Sequence, residues 1–253
     1  MTKTSITRCA LRLVATPALA LALGMPATAA AQESAAAMVN QDEAYAELVD
    51  VFQQPELADA IFEGSIKDLR KVWKADPFMA EMEAECPGIL DAMIEGSTPL
   101  MRKIDQRANR EYRNALLGIL KANLTPEEAM AATVWFRSED GQAMLASAAR
   151  NVTTEASLGE IVATEEGSAS REAFARDKEA SVQRVMGEMD APMQRRVAMA
   201  FMDSSWGPKL VALRPQMDEA RYTIFNAPLS AEEEAEMEAV MTQTIDDHYA
   251  TCS

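Results

Sequence analysis

The chain has 253 residues, 24 basic and 40 acidic side chains, a formal charge of −16 and only 6% aromatic residues. So acidic a balance argues against nucleic acid as a partner, because that role needs clustered Lys and Arg to displace counterions, and against adhesion to anionic lipid head groups. Abundant Ala, Glu, Met and Leu with little Gly favour helix over strand, and the length suits one domain or two small ones.

The first 31 residues read as a secretory signal peptide. Lys3, Arg8 and Arg12 stand without an acid, Leu11 to Leu23 is an apolar run broken by Pro17 and closed by Gly24, and Ala29-Ala30-Ala31 precedes Gln32. That is the order of positive start, apolar centre and small-residue cleavage site. The run is too short and too interrupted for a good membrane span. Cleavage near Ala31-Gln32 would remove three positive charges and take the formal charge from −16 to −19. The expectation is a periplasmic or secreted protein with no membrane span after cleavage. Cys9 leaves with the leader. Cys86 and Cys252 remain, an even number in an oxidising compartment, so a disulfide between them is favoured over free or intermolecular thiols.

Downstream the apolar residues recur with helical period. Tyr45, Leu48, Val49 and Phe52 mark a helix closed by Pro55, and Phe62, Ile66, Leu69 and Trp73 line a second. Asp76-Pro77 begins a short third that ends before Pro87-Gly88. Ile89, Met93, Leu100, Ile104, Ala108, Tyr112, Leu116 and Leu120 suit a long helix that Pro99 kinks or splits. Thr125-Pro126 with Glu128 is a capping box with Pro at the first helical position. That helix runs through Trp135-Phe136, turns around Ser138 to Gly141, and another follows to Arg150. Residues 151–170, rich in Thr, Glu, Ser and Gly, are expected to form a loop or hinge, with Leu158, Ile161 and Val162 available to seat part of it on the core. Ser168 or Ser170 caps a helix through Met189, and Asp190 with Pro192 starts the next, through Met202. Trp206-Gly207-Pro208 interrupts before a helix to Phe225, and Ser230 with Glu233 is a second capping box opening the last helix.

The expected fold is therefore all-α, with about eight or nine helices in an N-terminal half over 32–150 and a C-terminal half over 171–253. A faint internal repeat relates the halves. Thr125-Pro126, Phe136, Gly141 and Leu145 parallel Asp190, Pro192, Phe201, Gly207 and Leu210, with one extra residue between Phe and Gly in the second copy.

The stretch Leu124-Thr125-Pro126-Glu127-Glu128, continued by Trp135-Phe136-Arg137-Ser138 and ended by Gly141-Gln142, resembles a family of exported proteobacterial proteins defined as domain of unknown function number twenty fifty-nine. That family has a capped helix start with paired Glu, two aromatics, a basic residue, Ser, Gly and Gln. Ala129, Glu139 and Ala143 depart from its usual Leu, Pro and basic residue. The resemblance implies a helical envelope protein and carries no catalytic residue, since the family has no assigned activity.

Several constellations invite a functional reading. Trp135 and Phe136 are expected to pack between helices and Gly141 to relieve a close approach or tight turn; the functional alternative is a partner-docking edge of Trp135, Arg137 and Gln142. Arg102, Lys103, Arg107, Arg110 and Arg113 form a basic stretch that either pairs with nearby acids or offers an anion or partner patch. His248 lies four residues before Cys252, so both share a helix face and, with Cys86, would begin a metal site short of a familiar ligand set. Met79-Met82, Met186-Met189-Met193 and Met199-Met202 have the spacing of core filler or of a soft-metal site. No zinc-protease, nucleophile-elbow or phosphate-loop motif occurs in the sequence. The resulting expectation is a non-enzymatic helical binding or interaction module for an unknown protein or small molecule, without cofactor. The alternatives are a hydrolase or other enzyme using acids in a cleft, distinguished by several buried carboxylates around a deep pocket, and a periplasmic metal carrier.

Overall fold

The computed structural model describes residues 41–164 and 167–252; the expected leader over 1–31 and its cleavage point lie outside the described residues. The described residues are all-α and contain no strand. In chain order the helices are α1 Gln41–Phe52, α2 Pro55–Ala75, α3 Pro77–Glu85, α4 Ile89–Asn123, α5 Pro126–Phe136 and α6 Glu139–Asn151, then α7 Glu155–Ala163, α8 Arg171–Glu188, α9 Ala191–Asp203, α10 Gly207–Phe225 and α11 Ala231–Tyr249. Among the described residues, no helix is long and apolar enough to cross a membrane.

Local chemistry explains the boundaries. Pro77 and Pro126 occupy first helical positions, where no N–H is needed. The side chains of Asp76, Thr125, Ser138, Ser170, Asp190 and Ser230 each accept a hydrogen bond from the backbone N–H three residues on. Thr125 with Glu128 and Ser230 with Glu233 complete reciprocal capping boxes. Pro99 does not split α4. It lies within one 35-residue helix, and in the preceding turn Ser97 Oγ donates to Met93 O at 2.7 Å and Thr98 Oγ1 to Ile94 O at 2.6 Å. These bonds keep the turn closed next to the residue that lacks a donor.

The long α4 runs through two apolar clusters. Its first half, from Ile89 to Ile104, joins α2, α3, α7 and α11 around Leu69, Trp73, Leu158 and Met237. Its second half, from Tyr112 to Leu120, joins α1, α5, α6, α9 and α10 around Leu48, Phe136, Met144 and Leu210. Both clusters draw residues from either side of 151–170, so the two stretches of chain flanking that segment share their interior.

The described part of 151–170 includes a helix. Residues 155–163 form α7, with Leu158 fully buried and Ile161 3% exposed. The reason lies outside the segment. Asp68 of α2 accepts from the N–H of Thr154 and the hydroxyl of Thr153, and Asp177 of α8 accepts from the N–H groups of Ala156 and Ser157, each at 2.8 Å. Two carboxylates from other helices thus satisfy the free donors at the start of α7. The far end is held as well: Glu160 accepts from the N–H and hydroxyl of Ser170, and Asn226 clamps Ala169 through both its N–H and its carbonyl.

Candidate functional site

The site begins with a helix corner built twice. In the first copy Ser138 Oγ donates to Trp135 O at 2.6 Å and accepts from Gly141 N at 3.3 Å. In the second, Ser204 Oγ donates to Phe201 O at 3.4 Å and accepts from Gly207 N at 2.9 Å. A Cβ on Gly141 would meet Phe136 Cα at 2.6 Å, and one on Gly207 would meet Phe201 Cα at 2.6 Å, so only glycine fits either corner. The structural register therefore pairs Trp135 with Phe201, Ser138 with Ser204 and Gly141 with Gly207. The extra residue in the sequence-based repeat disappears, because Phe201 is the counterpart of Trp135 and not of Phe136. Spacing was the usable signal: an aromatic, Ser and Gly at intervals of three occur in both copies.

The two corners pack on each other through their rings. Trp135 meets Phe201 at 5.3 Å and Trp206 at 5.7 Å between centroids, and Phe201 meets Trp206 at 5.0 Å. Ion pairs cross between the copies, Arg196 of α9 to Asp140 of α6 and Lys209 of α10 to Glu128 of α5, at 2.8 and 2.7 Å.

Next to this aromatic cluster lies a cavity of about 290 Å³. That is roughly twice the ~150 Å³ apolar cavity that accepts benzene. Phe136 and Phe201 form its aromatic wall, Met144, Leu145 and Ala148 of α6 another, and Leu210, Val211 and Met217 of α10 a third. Met144 and Leu145 occupy the same positions after Gly141 that Leu210 and Val211 occupy after Gly207, so the repeated corner supplies equivalent walls. Phe52, Leu57 and Ile61 close the α1–α2 side. The polar lining comes from Gln53, Asn109, Arg110, Tyr112, Arg113 and Arg214, and it holds no carboxylate. Burial pushes the Tyr112 hydroxyl up to about 12, so the ring stays neutral across the ordinary pH range. One turn beyond Met217, Arg221 is buried over the Phe174 and Phe225 rings at 5.2 and 5.5 Å. Burial presses its guanidinium toward the neutral form, and Tyr112, Asp218, Asp105 and Asp177 oppose that.

The basic stretch of α4 is mostly tied to acids on neighbouring helices. Arg102 bonds Asp59 and Glu63, Lys103 bonds Glu236, Arg107 bonds Glu111 and Glu233, and Arg113 bonds Asp50. Arg110 is exposed and, among the described residues, is the member of the five with no ion pair. The stretch is thus chiefly the clasp between α4 and its neighbours, with Arg110 and Arg113 bordering the cavity. The trio Trp135, Arg137 and Gln142 also has internal work. Trp135 is half-buried in the ring cluster, Arg137 pairs with Glu47 at 2.9 Å, and Gln142 Nε2 donates to Phe136 O at 2.7 Å.

Cys86 and Cys252 are paired as a disulfide, their Cα atoms 5.6 Å apart, within the span such a bond requires. His248 stands beside them with Nε2 3.2 Å from Pro87 O, and one ligand atom from each of the three lies within 4.8 Å of the others. While the sulfurs are bonded to each other, neither is a thiolate ligand. The buried acids are committed to internal bonds, Asp105 accepting from Asn109 Nδ2 at 2.9 Å. Asp177 caps α7, and burial holds its carboxyl above the usual range despite those bonds. For Glu233 burial also pushes upward, but the Ser230 N–H and hydroxyl together with Arg107 outweigh it and hold the carboxyl low. Met79, Met82 and Met189 are core filler, whereas Met199 is 55% exposed.

Comparison of the chain with protein-family models, with curated proteins and with solved structures finds no match.

Proposed function

We propose that this protein is a non-enzymatic helical binding module of the cell envelope, and that its ligand site is the apolar cavity beside the doubled corner. One observation carries the reading: the cavity is walled by aromatic and aliphatic side chains of seven helices, and none of its described lining residues is an acid. A concave apolar site with a few polar groups at one side is the ordinary form of a small-molecule pocket. A hydrolase working through carboxylates would need acids at the cavity, and the buried ones are engaged otherwise: Asp177 caps α7, Glu233 pairs with Arg107 and Asp105 accepts from Asn109. The envelope assignment rests on the leader-like start and on the resemblance over Leu124 to Gln142.

The test is titration with a neutral apolar fluorophore, N-phenylnaphthylamine. Saturable enhancement at one site per chain, lost when the half-buried lining residue Ala58 is replaced by Trp in a protein with an unchanged melting temperature, is the expected result. Non-saturable enhancement, or indifference to Ala58→Trp, removes the cavity as the site.

A second reading, a metal carrier, has one observation in its favour: the convergence of Cys86, His248 and Cys252. It requires reduction of the disulfide by a dithiol to yield two thiolates. Stoichiometric zinc retained by the reduced protein and lost in His248→Ala supports it; no retained zinc removes it.

A further inference from the structure

We infer that the cavity takes a single-chain amphiphile with an anionic head, its simplest form being a medium-chain carboxylate, with the chain among α4, α6 and α10 and the head at the arginines of α4. The inference rests on the cavity being a binding site, as proposed above. Three independent observations lead to it.

The first is charge. The lining includes Arg110, Arg113 and Arg214, and neither Asp, Glu nor Lys, in a chain whose formal charge is −16. Three arginines line an apolar space in a protein that is otherwise strongly anionic. Such a place favours an anion locally although the molecule as a whole repels anions.

The second is the state of those cations. Most of the basic stretch is neutralised by acids of neighbouring helices, and Arg113 is held by the exposed Asp50, which is not part of the lining, at 2.5 Å. Arg110 has neither an ion pair nor a hydrogen-bond partner among the described side chains, although acids outnumber bases by 40 to 24. A guanidinium presents a planar fork matched to a carboxylate, and here that fork borders an apolar wall with no internal acid to occupy it.

The third is the polarity gradient along α4. Arg110 is exposed, Arg113 one turn on is half-buried, and Leu116 a further turn on is 3% exposed. All three line the cavity, as residues three apart on one helix face do. Gln53 Nε2 donates to Asn109 O beside the exposed end, at 3.5 Å, and Met144 in the lining is fully buried. A ligand charged at one end and apolar along its length matches that gradient. A neutral apolar molecule leaves Arg110 unanswered, and a peptide carries more polar groups than the deep end can bond.

The experiment is competition on the full chain: N-phenylnaphthylamine is displaced by decanoate or by decan-1-ol, which share a chain and differ in the head. Decanoate is expected to bind about tenfold more tightly than the alcohol, and to weaken as sodium chloride is raised while the alcohol does not. Arg110→Gln removes no internal bond, so its melting temperature should match that of the parent. It is expected to reduce decanoate affinity about fivefold to tenfold and leave the alcohol unchanged. If the alcohol binds as well as decanoate or better, or if Arg110→Gln weakens both equally, the head-group inference is overturned while the cavity remains a site. If neither ligand displaces the fluorophore, the amphiphile inference falls, while the cavity reading stands or falls on the Ala58→Trp titration alone.

Discussion

Alanine at Gly141 or Gly207 sets two effects against each other at the corners whose rings wall the cavity. Helix propensity favours alanine over glycine by ~1 kcal/mol. Sterics oppose it. The new Cβ would stand 2.6 Å from the Cα of Phe136 or of Phe201, with the carbonyl oxygens of Trp135 and Phe201 nearer still. Carbon atoms rest ~3.5–4.0 Å apart, so the corner must open by about 1 Å. The obstacle is backbone, which has no rotamer to move to, so the cost belongs at the upper end of the ~1–3 kcal/mol typical of overpacking. The net expectation is a loss of ~2 kcal/mol, or about 4–8 °C for a domain of this size. Gly118 supplies the control, because it is exposed on α4 and a Cβ there meets nothing within 4 Å. Gly118→Ala should gain ~0.5–1 kcal/mol from propensity alone. The assay is thermal unfolding followed by far-ultraviolet circular dichroism on all three variants. If Gly141→Ala and Gly207→Ala raise the midpoint as Gly118→Ala does, propensity outweighs sterics and the account of the corner is refuted.

Thr125→Ala should cost ~1 kcal/mol, because Thr125 Oγ1 accepts from Glu128 N at 3.3 Å in the capping box; an unchanged urea midpoint would place the start of α5 elsewhere. The Cys86–Cys252 bond spans 166 positions, so reduction should destabilise by up to ~5 kcal/mol in the chain-entropy model. Two free thiols counted in unreduced, denatured protein would show the pairing to be absent. Because Glu233 has a lowered pKa in the fold, its stabilisation is complete above the unfolded carboxyl value of about 4.3 and is lost as pH falls through the lower folded value. Glu233→Gln should therefore flatten the acid limb of stability against pH, and an unchanged limb would mean that the Arg107–Glu233 clasp contributes nothing there.

The sequence by itself determined the helices and most of their ends, because those are set by residues adjacent in the chain. Thr125 with Glu128 and Ser230 with Glu233 satisfy backbone donors three positions away, and the apolar period of Ile89 to Leu120 needs no partner to be read. Even the Cys86–Cys252 pairing was favoured over free thiols by parity and by the oxidising compartment that a leader-like start would imply, before any geometry. What the tertiary structure decided was everything supplied from a distance. Helix α7 exists because Asp68 and Asp177, from helices far apart in sequence, cap it, and no local pattern announces a cap donated by another helix. The register of the repeat came from Gly141 and Gly207 each abutting the preceding turn, a steric condition that matching residue types cannot express. The cavity was invisible for the same reason. Its walls come from α1, α2, α4, α5, α6, α9 and α10, and the meaning of Arg110 changed only when its neighbours on α4 were seen to be paired and it was not. Periodicity says which face of a helix is apolar; only packing says where the faces fail to meet, and that gap is the candidate site.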